Sequence, residues 1–245
     1  MAALRIVSLV PSITELVFWL GRGDWLVGRT RFCTEPTELV GKVTIVGGTK
    51  NPRNDRIVSL APDLVLANKE ENRREDVEAL RAAGLNLLLT DPNSVPEAVA
   101  MISEIGVLVD AEARAEELGA EIEALLRDPD SPSAPRVFAA VWWDPLMGLG
   151  RESYGHDLLE RAGGINVLAG KSRYPRLSPQ ELADLRPELI LLPDEPFPFT
   201  AKHVPSFAAV APTRLIDGRL LWWYGPRIPE AIRTLRRIFN ESTTT

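Results

Sequence analysis

Residues 95–127, VPEAVAMISEIGVLVDAEARAEELGAEIEALLR, decide how this chain is organised. Apolar side chains recur at helical spacing: Val99, Ile102, Ile105 and Val109, then Leu118, Ile122 and Leu125. Most of the remainder is Ala and Glu, which are strong helix formers. A softer point lies at Gly106 to Asp110, where Asp110 can cap a second helical segment. The stretch reads as a helical spine. On each side of it, strand and helix patterns alternate.

Before the spine, Leu4–Val10, Trp25–Gly28 and Val43–Val46 are short apolar, β-branched runs and are expected to be buried strands. Ser12-Ile13-Thr14-Glu15 fits a capping box, which predicts a helix start directly after the first strand. In Gly47-Gly48-Thr49-Lys50-Asn51-Pro52, Asn51 can cap and Pro52 suits a first helical position, which places Lys50 beside a helix N-terminus. A helix over Arg73–Ala83, stopped by Gly84, leads to a strand over Asn86–Leu89. After the spine, Asp128–Pro135 reads as a linker. Val137–Val141 and Leu189–Leu192 read as strands, with Leu215-Ile216 and Leu220–Trp223 as shorter strand candidates. Helices are expected from Tyr154, from Ser178-Pro179 and over Ile228–Phe239, followed by a frayed tail from Glu241.

One phrase occurs twice. Arg56–Ala67 (RIVSLAPDLVLA) and Glu181–Leu192 (ELADLRPELILL) each read as a short helix, a proline with an acidic residue, and an apolar strand. The repeat predicts an α/β fold of two Rossmann-like lobes, residues 1–94 and 128–245, joined by the long spine helix of residues 95–127, with a ligand cleft between the lobes.

Bulk properties narrow the function. Hydrophobic residues make up 45% of the 245 and charged residues 25%, as in an ordinary globular chain. A net charge of −6 argues against a general nucleic-acid binder, and no apolar run is long enough to span a membrane. Cys33 is the only cysteine, so no internal disulfide forms. No signal-peptide pattern precedes the first strand, which leaves two readings: a cytoplasmic protein, or an exported one whose leader has been removed.

Catalytic residues are not evident. His156 and His203 lie far apart, outside any ligand-spaced motif, and no metal site is expected. Cys33 has no local histidine, and neither Ser12 nor Ser153 sits in a nucleophile-elbow frame. Aromatic residues are the better lead. Trp142-Trp143 and Trp222-Trp223-Tyr224 fall at expected strand ends, where alternation sends one ring of each pair to the core and frees the other for a broad flat ligand. Arg31 and Phe32 suit an anionic or planar ligand, and Lys50 suits an anion.

Several phrases taken in order resemble the helical-backbone (class III) substrate-binding proteins of ABC importers, which take up cobalamin, ferric siderophores and haem. They are RIVSLVPSITEL from Arg5, the Gly-Gly before Asn51-Pro52, RIVSLAPDLVLA, DLLERAGGINVLA from Asp157, LSPQELADLRPELILL from Leu177, and WYGPR from Trp223. The cobalamin-binding type is the most similar. The resemblance implies binding without chemistry and delivery to a membrane permease. It implies a monomer and an extracytoplasmic location, with a leaderless cytoplasmic carrier or sensor as the rival. The ligand it implies is a corrinoid or another metal chelate, with a siderophore or haem as the alternative, carried as cargo and not as a catalytic cofactor. Arg31, Phe32, Lys50, Asn68, Lys69, Trp142, Trp143, Tyr174, Trp222, Trp223, Tyr224 and Arg227 would contact it. Asp55, Gln180 and Glu181 would face the permease. This chain departs from the pattern in having Gln180 at the second acidic position, and Thr49 and Asn68 where cobalamin binders place aromatics.

Overall fold

A computed structural model describes residues 3–127 and 134–242. The linker expected at residues 128–135 and the last three residues therefore fall largely outside it. The chain separates into two compact units. One takes the residues up to Asp91 together with Val99–Ala120 and Tyr224–Pro226. The other takes Pro92–Ala98, Glu121–Trp223 and the residues from Arg227 onward.

The first unit contains β1 (Ile6–Ser8), α1 (Pro11–Trp19), β2 (Leu26–Arg29), α2 (Thr37–Val40), β3 (Thr44–Ile45), α3 (Asn54–Ser59), β4 (Leu64–Asn68), α4 (Arg74–Ala82) and β5 (Leu87–Thr90). All five strands are parallel, in the order β3-β2-β1-β4-β5. β1 and β4 are buried along their whole length, as their continuous Val, Ile and Leu content predicts. Val7, Leu9, Val46, Ile57, Val65, Val77 and Leu80 close the core on one face. Gly28 is needed where it stands: a Cβ there would lie 3.0 Å from side-chain atoms of Val7, Val46 and Leu60 at once.

Two expected caps are not made. Pro11 takes the first turn of α1, so the cap falls on Val10 and Ser12 lies inside the helix. Proline has no N–H to satisfy and suits that first turn, which starts the helix two residues earlier than expected. Residues 47–53 form a turn instead of a helix start, with the Gly48 N–H on the Asn51 carbonyl at 3.2 Å. α3 begins later, at Asn54, with Arg53 at its cap.

The 95–127 stretch is helical, but not as one rod. α5 (Val95–Leu108) and α6 (Glu112–Arg127) are separated by a reversal. Asp110 has φ +55, its N–H bonds the Val107 carbonyl, and the Ala111 N–H reaches the Gly106 carbonyl at 2.8 Å. These are the two hydrogen bonds of a Schellman motif, so Asp110 ends α5 and does not cap α6. A Cβ on Gly106 would sit 2.5 Å from Ala115, and one on Gly119 would sit 3.3 Å from Val99. Contacts that pair later residues of one helix with earlier residues of the other mean that α6 runs back along α5.

The second unit contains β6 (Arg136–Trp142), β7 (Met147–Gly148), α7 (Tyr154–Arg161), β8 (Ile165–Asn166), α8 (Pro179–Asp184), β9 (Leu189–Pro193), α9 (Val204–Ala208), β10 (Thr213–Ile216), α10 (Arg219–Trp222) and α11 (Ile228–Ser242). Its sheet runs β10-β9-β6, with β8 parallel to the start of β6 and β7 antiparallel to its end. Leu220–Trp223, expected as a strand, is the helix α10; a four-residue apolar run carries no period that separates the two. Ser178 caps α8 as expected, and a full capping box with Glu181 is present. α11 extends through Glu241, which pairs with Arg214.

The repeated phrase is a repeated structure. Arg5 and Arg136 each stand at the entry to a strand. The Arg5 guanidinium donates to the Leu60 and Ala61 carbonyls, and that of Arg136 to the Leu185 and Arg186 carbonyls. The Arg5 N–H bonds Asp63 at 2.7 Å and the Arg136 N–H bonds Glu188 at 2.8 Å. Ala61 and Arg186 are both left-handed, at φ +43 and +48.

Candidate functional site

In an open parallel sheet the ligand edge is the carboxyl end of the strands, at the point where strand order reverses. In the first unit that point lies between β1 and β4. The edge there is a buried polar network. Asn72 accepts from the Asn68 N–H at 2.9 Å and donates to the Thr49 carbonyl at 3.0 Å and the Leu9 carbonyl at 3.3 Å. Asn68 Oδ1 accepts from the Glu70 and Glu71 N–H groups, and its amide nitrogen donates to Thr90. Thr14 donates to the Val10 carbonyl and to Ser8. The ends of β1, β4 and β5 and the 47–53 turn are thereby fixed together.

On this frame the charged candidates stand exposed. Lys50 donates to the Glu70 carbonyl. Lys69 pairs with Asp91 at 2.6 Å. Arg31 lies over the ring of Phe32 at 5.6 Å, and the ring is 54% exposed. Arg29, the other arginine flanking this turn, is buried and holds the Val40, Thr30 and Cys33 carbonyls, which leaves Arg31 as the exposed one of the two. Asn68 is a correction: at 1% exposure, with its donors and acceptor engaged, it builds the edge and does not present itself to a ligand. Cys33 is buried too, and burial pushes its thiol above the ordinary range, the opposite of an activated nucleophile.

In the second unit the corresponding edge is aromatic. Trp142, 40% exposed, meets Phe197 edge-on at 5.3 Å. Trp143 turns the other way and packs on Phe207 and His203, as strand alternation requires. Trp222 is half-buried, donates to the Glu195 carbonyl at 2.6 Å, and meets Tyr174 edge-on at 6.4 Å. The 195–197 loop thus joins two aromatic pairs, meeting Trp222 through the Glu195 carbonyl and Trp142 through the Phe197 ring. Phe197 belongs to this edge although it sits in a proline-rich loop with no periodic signal. Trp223 and Tyr224, in the extended segment that follows α10, are both buried, at 7% and 6%, and present little surface to a ligand. Arg227 lies over Trp223 at 5.3 Å. His203 accepts from the Thr200 N–H through Nδ1 and is ringed by Phe197, Phe199 and Trp143. Among the described residues no group of three or more His, Cys, Asp or Glu is arranged to hold a metal ion.

Asp55 is exposed in the first turn of α3. Gln180 is exposed on α8 and bonded to Asp184 at 2.8 Å. The Glu181 carboxylate accepts from the Ser178 N–H at 2.7 Å, and this bond holds its pKa below the usual glutamate range. In the repeat, Leu60 matches Leu185, which puts Asp55 and Gln180 in register.

The periplasmic binding protein family model matches residues 6–204. An uncharacterized ABC transporter substrate-binding lipoprotein, YvrC of Bacillus subtilis, is 30% identical over 94% of this chain and 78% of its own length. The vitamin B12-binding protein of Yersinia pestis is 27% identical over 78% of this chain and 70% of its own. The apo form of the periplasmic heme-binding protein RhuT from Roseiflexus sp. RS-1 superposes with a TM-score of 0.79 at 26% identity, covering 98% of this chain and 99% of its own. The family model over residues 6–204 and the 30% identical relative show that the chain belongs to the periplasmic binding protein family of ABC-transporter substrate-binding proteins.

Proposed function

We propose that the protein captures a corrinoid or related metal-chelate ligand and hands it, chemically unchanged, to an ABC permease. The observation that carries this is a set of two aromatic pairs, Tyr174 with Trp222 and Phe197 with the exposed Trp142, joined through the Trp222 bond to the Glu195 carbonyl. Half-buried rings ending in an exposed tryptophan suit a broad apolar ligand better than a small polar solute. Arg31, Phe32, Lys50 and Lys69 supply the polar contacts, with Arg227 beside the aromatic edge. Asp55 on α3 and the 180–181 pair on α8 face the permease from repeated positions, with Gln180 in place of an acid. The protein acts as a monomer and outside the cytoplasm, and the likeness to a lipoprotein supports the second of these. A second reading, haem as ligand, rests on the likeness to RhuT.

The test is a titration of the purified protein with cyanocobalamin and, separately, hemin, following tryptophan fluorescence. Saturable quenching by cyanocobalamin below micromolar concentration supports the corrinoid reading. Quenching by hemin alone moves the assignment to haem, and no quenching by either overturns both.

A further inference from the structure

The loop that follows β4 holds a group the fold does not use. Glu71 lies on it at the reversal point of the first sheet, half-buried, and its carboxylate has no hydrogen-bond or ion-pair partner among the described residues. Its position is not free to drift. Asn68 Oδ1 holds the N–H of Glu71 itself at 3.2 Å, and the next residue, Asn72, is tied to the Leu9 and Thr49 carbonyls.

We propose that Glu71 is a specificity-determining ligand contact, accepting hydrogen bonds from an uncharged, donor-bearing edge of the ligand of the primary-amide kind and discriminating against an edge that carries carboxylates. This rests on the function proposed above and narrows the ligand class at the first unit's edge. Burial pushes the Glu71 carboxyl above its ordinary range. Neighbouring Lys50 opposes that shift and Glu70 adds to it. Lys50 favours the ionised form of Glu71 through its charge without bonding it, since its ammonium donates to the Glu70 carbonyl. Lys69 is likewise spent, on Asp91. Glu70, Glu71 and Asp91 stand at this edge with Lys50, Lys69 and Arg31, so it is the unbonded Glu71 carboxylate, and not a net charge, that a ligand edge meets. A ligand carboxylate placed there meets like charge. A primary amide brings two N–H donors to an acceptor-only group. Corrinoids carry such amides around the ring, whereas haem carries propionates.

An ionised, half-buried, unpartnered carboxylate costs the free protein stability, and a fold keeps such a group where a ligand completes it. Because its folded pKa is raised, the free protein is most stable below the ordinary glutamate range and loses that increment as pH rises through the raised value.

The experiment uses full-length wild type, Glu71→Gln and Glu71→Ala. Each is titrated with cyanocobalamin and with hemin between pH 5 and pH 8, and each is melted without ligand. Wild-type affinity for cyanocobalamin should rise with pH as Glu71 ionises. Glu71→Ala should bind about tenfold more weakly at pH 8, the loss expected for a hydrogen bond to a charged acceptor. Glu71→Gln should show no pH dependence, and both variants should gain affinity for hemin relative to wild type. Unliganded Glu71→Gln should melt higher than wild type at pH 8, with the gap closing at pH 5. Wild-type binding of cyanocobalamin with variants of equal affinity and equal pH profile overturns the inference alone. Failure of wild type to bind cyanocobalamin overturns it together with the corrinoid reading.

Discussion

Asn72 makes the sharpest test of how the first unit's ligand edge is built. It is 5% exposed and links three strand-end segments through one side chain. Asn72→Ala strips a partner from the Asn68 N–H, the Thr49 carbonyl and the Leu9 carbonyl, previously met at 2.9, 3.0 and 3.3 Å. A buried group left without its partner costs about 1–3 kcal/mol. The long Leu9 bond contributes least, and water entering the vacated space recovers part of the rest. The expected loss is therefore about 2–4 kcal/mol, or a fall of roughly 5–12 °C in melting temperature for a chain of this size. Asn72→Asp discriminates hydrogen bonding from packing. It keeps the acceptor for Asn68 but turns an oxygen toward two carbonyls, so at pH 7 it should be less stable than Asn72→Ala. It should recover as acid protonates the new carboxyl and restores a donor. Calorimetric melts across pH, with far-UV dichroism to confirm the fold, read both effects. A melting temperature for Asn72→Ala within a degree of wild type, or Asn72→Asp the more stable of the two at pH 7, would refute the reasoning.

Three further outcomes follow from the second unit. Phe207 is 1% exposed and packs on Trp143 at 5.3 Å and Phe199 at 6.0 Å, so Phe207→Ala should cost about 3–5 kcal/mol in urea unfolding and loosen the base of the aromatic edge. Trp142→Ala, at an exposed position, should leave the melting temperature nearly unchanged while lowering ligand affinity and the depth of fluorescence quenching; unchanged quenching would remove Trp142 from the site. Ser178→Ala should cost about 1 kcal/mol through the lost cap of α8. The partner acid Glu181 has a lowered pKa, so its contribution is present above the ordinary glutamate range and disappears as pH falls through the lowered value. The melting gap between wild type and Glu181→Gln should accordingly close in acid.

What the sequence disclosed, it disclosed through local patterns. Buried parallel strands announce themselves as unbroken Val, Ile and Leu runs, and Ser178-Pro179 with Glu181 announces a helix start. The misplaced helix boundaries share one cause, competition between two local signals. At Pro11-Ser12 a good cap residue stands behind a proline that takes the first turn for itself. At Asn51-Pro52 two glycines permit a closed turn that delays α3 to Asn54. At Asp110 a residue able to cap the next helix instead adopts φ +55 and ends the previous one, and the chain reverses. The site divides in the same way. Trp142 and Trp143 sort by strand parity, which sequence can read. Phe197 and Asn72 acquire their roles from neighbours 20 or more positions away, Trp142 for Phe197 and Thr49 and Leu9 for Asn72, and no window along the chain contains those pairings.

The Arg5 and Arg136 clamps explain why one phrase recurs in both halves although the sheets around it differ. Each unit must turn a short helix into a central strand within a few residues. The turn leaves the last helical carbonyls without partners and forces one residue left-handed, Ala61 in one unit and Arg186 in the other. An arginine entering from the neighbouring strand answers both needs: its guanidinium takes the orphan carbonyls, and its backbone pairs with the acid that follows the proline. The proline keeps the helix from continuing. With leucine, proline, acid and arginine fixed by that junction, the helix before it and the strand after it can vary only within helix and strand grammar. The repeat is thus legible as a phrase because it solves the same junction twice. It also carries Asp55 and Gln180 to matching positions on α3 and α8, so two surface points proposed to face a permease are set by the same constraint that builds the two cores.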